Sequence, residues 1–120
     1  MRIQVLTVPD CPNAPVVAQR LRAALAGREV PVEFVEVTDA VQAERLGMTG
    51  SPTVLIDGTD PFAVPGAPAS VSCRLYHDHE GRVGGAPSVA DLRGALSDAG
   101  LLGGPAAAGP NGGRRAGSDQ

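Results

Sequence analysis

Ile3-Gln4-Val5-Leu6-Thr7-Val8-Pro9-Asp10-Cys11-Pro12-Asn13-Ala14-Pro15-Val16-Val17-Ala18-Gln19-Arg20-Leu21-Arg22-Ala23-Ala24-Leu25 is the stretch on which the fold turns. Ile3, Val5, Leu6 and Val8 are strand-forming and mostly apolar. Pro9 to Asn13 break that strand. Asn13 suits an N-cap, and Pro15 falls in the first helical turn, where a missing N–H costs nothing. Val17, Leu21, Ala24 and Leu25 follow at helical spacing, and Gly27 suits the closing position. One thiol, Cys11, thus stands at or just before a helix N-terminus. Unpaired N–H groups and the helix dipole there favour a thiolate. Cys11 is therefore a candidate nucleophile or metal ligand. The plainer alternative is a small buried residue in a turn.

Working outward, Val30 to Val37 reads as a second strand, with Val32, Phe34 and Val37 apolar and Glu33 and Glu36 toward water. Strand, helix and strand at this spacing predict a right-handed βαβ unit with parallel strands. Thr38 or Asp39 caps a short helix, Ala40 to Leu46, ended by Gly47. Thr53 to Asp57 is a third strand, and Asp57-Gly58 a turn signal. Thr59 to Ala69 carries Pro61, Pro65 and Pro68 and is a long loop, functional or mobile. Val71 to Tyr76 is a fourth strand in which Val71, Cys73 and Leu75 share one face. His77 to Gly81 is a polar turn. Ser88 caps the last helix, Ser88 to Ala99, with Val89, Leu92, Ala95 and Leu96 on its apolar side. No internal repeat is visible.

The chain has 120 residues and reads as one domain over 1–99. Residues 100–120 are Gly/Ala/Pro-rich and read as a disordered tail. Phe34, Phe62 and Tyr76 are the only aromatics, so the core must be aliphatic. The net charge is -3, and the ten basic residues are scattered arginines apart from Arg114-Arg115. No basic stripe supports nucleic-acid binding. No apolar run approaches a membrane span, and no leader peptide is evident. The expected compartment is the cytoplasm. There, two cysteines point to catalysis, redox or metal chemistry before a structural staple. No cofactor is implied, and nothing bears on oligomeric state. His77 and His79 share a strand face, but no zinc spacing accompanies them and a solvated turn is the simpler account. The glycines at 81, 84 and 85 lack the setting of a phosphate loop.

The order β-α-β-α-β-β-α, with Cys11 at the first strand–helix junction and Ser51-Pro52-Thr53 before the third strand, resembles the thioredoxin-like fold. The resemblance covers residues 2–99. It implies an α/β domain with a four-stranded mixed sheet flanked by helices. It also implies a cis bond at Ser51–Pro52, with Ser51, Pro52 and Thr53 beside the thiol as the substrate-binding loop. The backbone of residue 51 would be open there to an added strand of substrate. Its implied activity is thiol–disulfide oxidoreduction on a small thiol or a protein. The departure is Cys11-Pro12-Asn13-Ala14, where that family carries C-x-x-C. Cys73 could resolve a mixed disulfide from a distance, a small thiol could do so, or the activity could be lost and a binding module kept. Such a module would act through the Pro52 loop or Thr59 to Ala69. Asp10 beside Cys11 opposes the dipole or serves as proton donor or acceptor.

A narrower resemblance rests on Gly50-Ser51-Pro52-Thr53, Asp57 to Phe62, Ser72 to Tyr76 and Gly85-Ala86-Pro87-Ser88. These blocks are similar to short bacterial proteins labelled alkylmercury lyase or thioredoxin-family. That resemblance implies Cys11 and Cys73 as mercury ligands, soft thiolates for a soft metal. Asp10 or Asp60 would handle the proton.

Overall fold

The computed structural model describes residues 1–101. All but the first two residues of the expected tail lie outside the described residues. The elements run β1 (Ile3–Thr7), α1 (Ala14–Leu25), β2 (Val32–Glu36), α2 (Ala40–Leu46), β3 (Thr49–Ser51), β4 (Thr53–Ile56), β5 (Ser70–Cys73), β6 (Tyr76–His77), β7 (Val83–Gly84) and α3 (Val89–Asp98). The central sheet has the order β2-β1-β4. β1 is parallel to β2 and antiparallel to β4, with Val5 opposite both Phe34 and Val54. This is the mixed α/β architecture of the thioredoxin-like fold.

Alternation along β1 sends side chains to both faces, and each face has its own cover. Ile3 and Val5 join Val54 and Ile56 under Val17, Leu21 and Leu25 of α1 and Leu92 and Leu96 of α3. Leu6 and Leu55 face the other way, onto Val37, Ala43 of α2 and Met48. Phe34, apolar though it is, is 48% exposed on the edge strand β2.

Local chemistry sets the ends. α1 stops at Ala26, which takes the left-handed conformation at φ 54°, followed by Gly27 at φ 85°. Asn13 precedes α1, but its side chain makes no capping bond. Its amide instead lies where a Cβ on Gly85 would come within 2.3 Å of Nδ2. Asp39 caps α2 by accepting the Gln42 N–H at 2.8 Å. Asp57 and Gly58 both hold positive φ, and Ile56 and Thr59 exchange both backbone bonds across them. That is the two-residue hairpin geometry which Asp-Gly favours. Ser88 caps α3 through the Asp91 N–H at 3.0 Å.

The expected fourth strand does not join the central sheet. It divides at Arg74-Leu75, and its first half, β5, pairs in parallel with β3, Thr49 opposite Ser70 and Ser51 opposite Cys73. Its second half, β6, pairs with β7. Between β6 and β7, Asp78 accepts the N–H groups of Arg82 and Glu80, each at 2.9 Å. The Arg82 bond leads in holding its carboxyl below the usual carboxylate range. No helix among the described residues is long and apolar enough to cross a membrane.

Candidate functional site

Cys11 hangs from the end of β1. Its N–H donates to the Val8 carbonyl at 3.3 Å, and its own carbonyl accepts the Ala14 N–H at 3.2 Å. It therefore precedes the first helical residue of α1 by three positions. Asp10 makes the turn possible by taking φ 60°, which aspartate tolerates better than most residues. Asp10 is exposed while Cys11 is 7% exposed. The turn thus carries the carboxylate outward and the thiol inward.

Ser51 ties this turn to the neighbouring loop. Its hydroxyl accepts the Val8 N–H at 3.1 Å. The Ser51–Pro52 bond is cis. Thr53 closes the loop by donating to the Gly50 carbonyl at 2.6 Å. Ser51, Pro52 and Thr53 are all buried. The expectation of an open backbone at residue 51 is corrected here. The Ser51 carbonyl accepts the Arg74 N–H at 3.1 Å, and Cys73 stands opposite Ser51 in the ladder. The long loop returns the chain along β3 and fills that edge. Cys73 and Leu75 take the outward face, so Cys73 is a free, exposed thiol and Cys11 a free, buried one. Both cysteines are thus anchored to Ser51, one through Val8 and one as its strand partner.

Arg74 organises the surroundings. Its side chain is 7% exposed, and Nη1 lies 2.7 Å from Asp60 Oδ2. Nη1 also reaches the hydroxyls of Thr49 at 3.2 Å and Thr53 at 3.4 Å, and Nη2 donates to the Phe62 carbonyl at 2.6 Å. The guanidinium stands 4.5 Å above the Tyr76 ring, which meets Phe62 edge to face at 5.7 Å. Tyr76 donates its hydroxyl proton to the Pro52 carbonyl at 2.5 Å. Gly50 belongs to this packing. At φ 137°, a Cβ there would lie 2.7 Å from Cβ of Arg74. Arg20 fixes the last block, donating to the carbonyls of Ala86 at 3.1 Å and Pro87 at 3.2 Å.

Of the blocks that carry the organomercury resemblance, those holding Gly50, Asp60 and Arg74 serve as scaffold for the cis-proline loop, and the one holding Ala86 and Pro87 is fastened to Arg20 of α1. Asp60, one of the expected proton donors, has Oδ2 against Arg74 and Oδ1 accepting the Phe62 N–H. Among the described residues no cluster of three or more His, Cys, Asp or Glu is placed to hold a metal ion. From sequence Arg74 carries only the reading that it could support a thiolate if it pointed to the Cys11 end, and Tyr76 carries none as a site residue. The available signal was an arginine in an apolar strand, a charge that burial allows only with partners.

A family profile described as Thioredoxin domain matches residues 1–71. It takes in Cys11 and Ser51-Pro52-Thr53 and stops short of Cys73 and Arg74. No curated protein and no solved structure matches the chain. Neither the profile nor the geometry supports the organomercury resemblance.

Proposed function

The chain belongs to the thioredoxin domain family, whose chemistry is thiol–disulfide exchange on thiol or disulfide substrates, and we propose that it performs that exchange with Cys11 as the nucleophile. The observation that carries the reading is the position of Cys11: a shielded thiol in the β1–α1 turn, tied through Val8 to Ser51 and the cis-proline loop. The Cys11 thiolate attacks one sulfur of a disulfide. A Cys11–substrate disulfide forms, the other sulfur leaves as thiolate, and it takes a proton from water. Without a second cysteine in the turn, the partner that completes the cycle comes from elsewhere. Cys73, riding on β5 opposite Ser51, is the resolving thiol. Its thiolate attacks Cys11 Sγ, joins the two cysteines and releases the second half of the substrate. The substrate disulfide is reduced and the cysteine pair oxidised; a low-molecular-weight thiol regenerates the pair. Asp10, whose carboxylate the turn carries outward, is left out of the proton path, which runs to water. Ser51, Pro52 and Thr53 position the turn.

Mass analysis after mixing reduced protein with hydroxyethyl disulfide tests this. The native chain ends as an internal disulfide, having lost a hydrogen from each thiol. Cys73→Ser halts at the mixed adduct on Cys11, and Cys11→Ser forms neither product. An adduct on Cys73 alone, with Cys11 unreacted, overturns the assignment and leaves a binding module.

A further inference from the structure

Strand addition requires a free row of backbone N–H and C=O groups. At the loop beside Cys11 that row is occupied. β5 lies along β3, the Ser51 carbonyl is held by the Arg74 N–H at 3.1 Å, and the Met48 carbonyl by the Ser70 N–H at 3.0 Å. Ser51 itself is 1% exposed. β5 cannot swing aside cheaply. Its last residue is followed at once by Arg74, whose buried side chain is bonded to Asp60, Thr49, Thr53 and Phe62 and stacked on Tyr76. A peptide pairing with the outer edge of β5 would lie about two strand spacings, roughly 9–10 Å, from the Ser51 backbone. That is too far to present a disulfide to a thiol shielded in the β1–α1 turn.

We infer that the disulfide Cys11 attacks belongs to a low-molecular-weight thiol and not to an extended polypeptide, because the chain's own β5 segment fills the edge a peptide would need. The inference rests on the exchange activity proposed above. In the step itself, Cys11 sulfur bonds to the small thiol's sulfur, the bond within the small disulfide breaks, and the departing thiolate is protonated by water.

The test uses the full chain, reduced, and an extended cysteine peptide whose sulfur carries a hydroxyethylthio group. Cys11 can attack either sulfur of this probe. Products are quenched early with acid and weighed. The hydroxyethyl adduct on Cys11 should exceed the peptide adduct by about tenfold or more, a difference of about 1.4 kcal/mol between the two barriers. A peptide adduct equal to or above the hydroxyethyl adduct overturns the inference. A second readout is independent of turnover. Amide exchange at Arg74 is followed with excess of the same peptide bearing serine for cysteine. Unchanged protection agrees with a filled edge, and faster exchange at Arg74 shows β5 displaced and the inference wrong. If Cys11 attacks neither sulfur, the redox proposal falls, and the exchange experiment still decides whether a peptide can enter.

Discussion

Arg74 shows how one residue can order a loop far from it in sequence. A guanidinium out of water is costly unless its donors are met. Here Asp60, Thr49, Thr53 and Phe62 meet them, and those partners lie on both sides of Ser51-Pro52 and in the long loop. Tyr76 completes the arrangement from below, and its ionisation reports on it. Burial, the largest influence, pushes its phenol well above the ordinary value of 10.0; the Arg74 charge opposes the shift and the Asp60 charge adds to it. The folded state therefore keeps the phenolic proton where the unfolded chain gives it up. Tyr76's contribution to stability is fully present below pH 10.0 and declines as pH rises beyond it. Because Tyr76 is the only tyrosine and no tryptophan is present, phenolate absorbance reads it alone. In an alkaline titration that band should grow only together with loss of helical circular dichroism. Growth near the ordinary value while the helices persist would mean the phenol is not sealed against Pro52.

Among the elements, the β3–β5 ladder decides what can approach Cys11, and the Asp60–Arg74 pair fastens it. With side chains only 7% and 10% exposed, this pair is a buried one rather than a surface contact. Removing one partner of such a pair strands the other charge and costs on the order of 3–5 kcal/mol. Asp60→Ala should sit near the lower end, since Arg74 keeps the Phe62 carbonyl and the two threonine hydroxyls. A lowered urea midpoint measures the loss, and faster protease cleavage between Thr59 and Ala69 locates it. An unchanged midpoint would show that the pair does not hold the loop. The elements of regular period were legible in the sequence: β1, α1, α2, β4 and α3 each carry an apolar pattern or a cap that local physics reads. β3 was not, because three residues with glycine at their centre have no period, and their strand character comes entirely from pairing with β5. The break after Cys73 was hidden for a related reason. Alternation predicts one face for Val71, Cys73 and Leu75, but the β3–β5 register shifts between Thr49 and Ser51, so Val71 packs on the core beside Leu6 and Met48 while Cys73 and Leu75 face outward and Arg74 inward. For the site, the turn that carries Cys11 could be read locally, whereas the proline loop beside it followed only from the family resemblance; the filled edge at Ser51 depends on a contact across the whole loop.

At the scale of the molecule, the family match ends at residue 71 while the core does not. On the α1 face of the sheet, Leu92 and Leu96 of α3 complete the cover over Ile3, Val5 and Ile56 that α1 begins. α3 in turn is finished by Gly100 and Leu101. Gly100 adopts φ 100°, its N–H donates to the Ser97 carbonyl, and the Leu101 N–H reaches back to the Leu96 carbonyl, both at 2.9 Å. This is the Schellman arrangement, in which the residue after the glycine also packs inward, and Leu101 lies against the α1-side core. The helix cap and the core thus extend through Leu101, two residues past the position composition suggested. A chain ended after Leu101 should melt with the full chain. One ended after Ala99 loses two helix-closing bonds and the leucine contact, worth about 1 kcal/mol or more together. For a domain of this size that lowers the melting temperature by about 4–8 °C per kcal/mol. Calorimetry on the three lengths decides the matter. Equal melting of the two shortened chains would deny Leu101 its place in the core. A drop already on removing residues 102–120 would move the end of the core further along the chain.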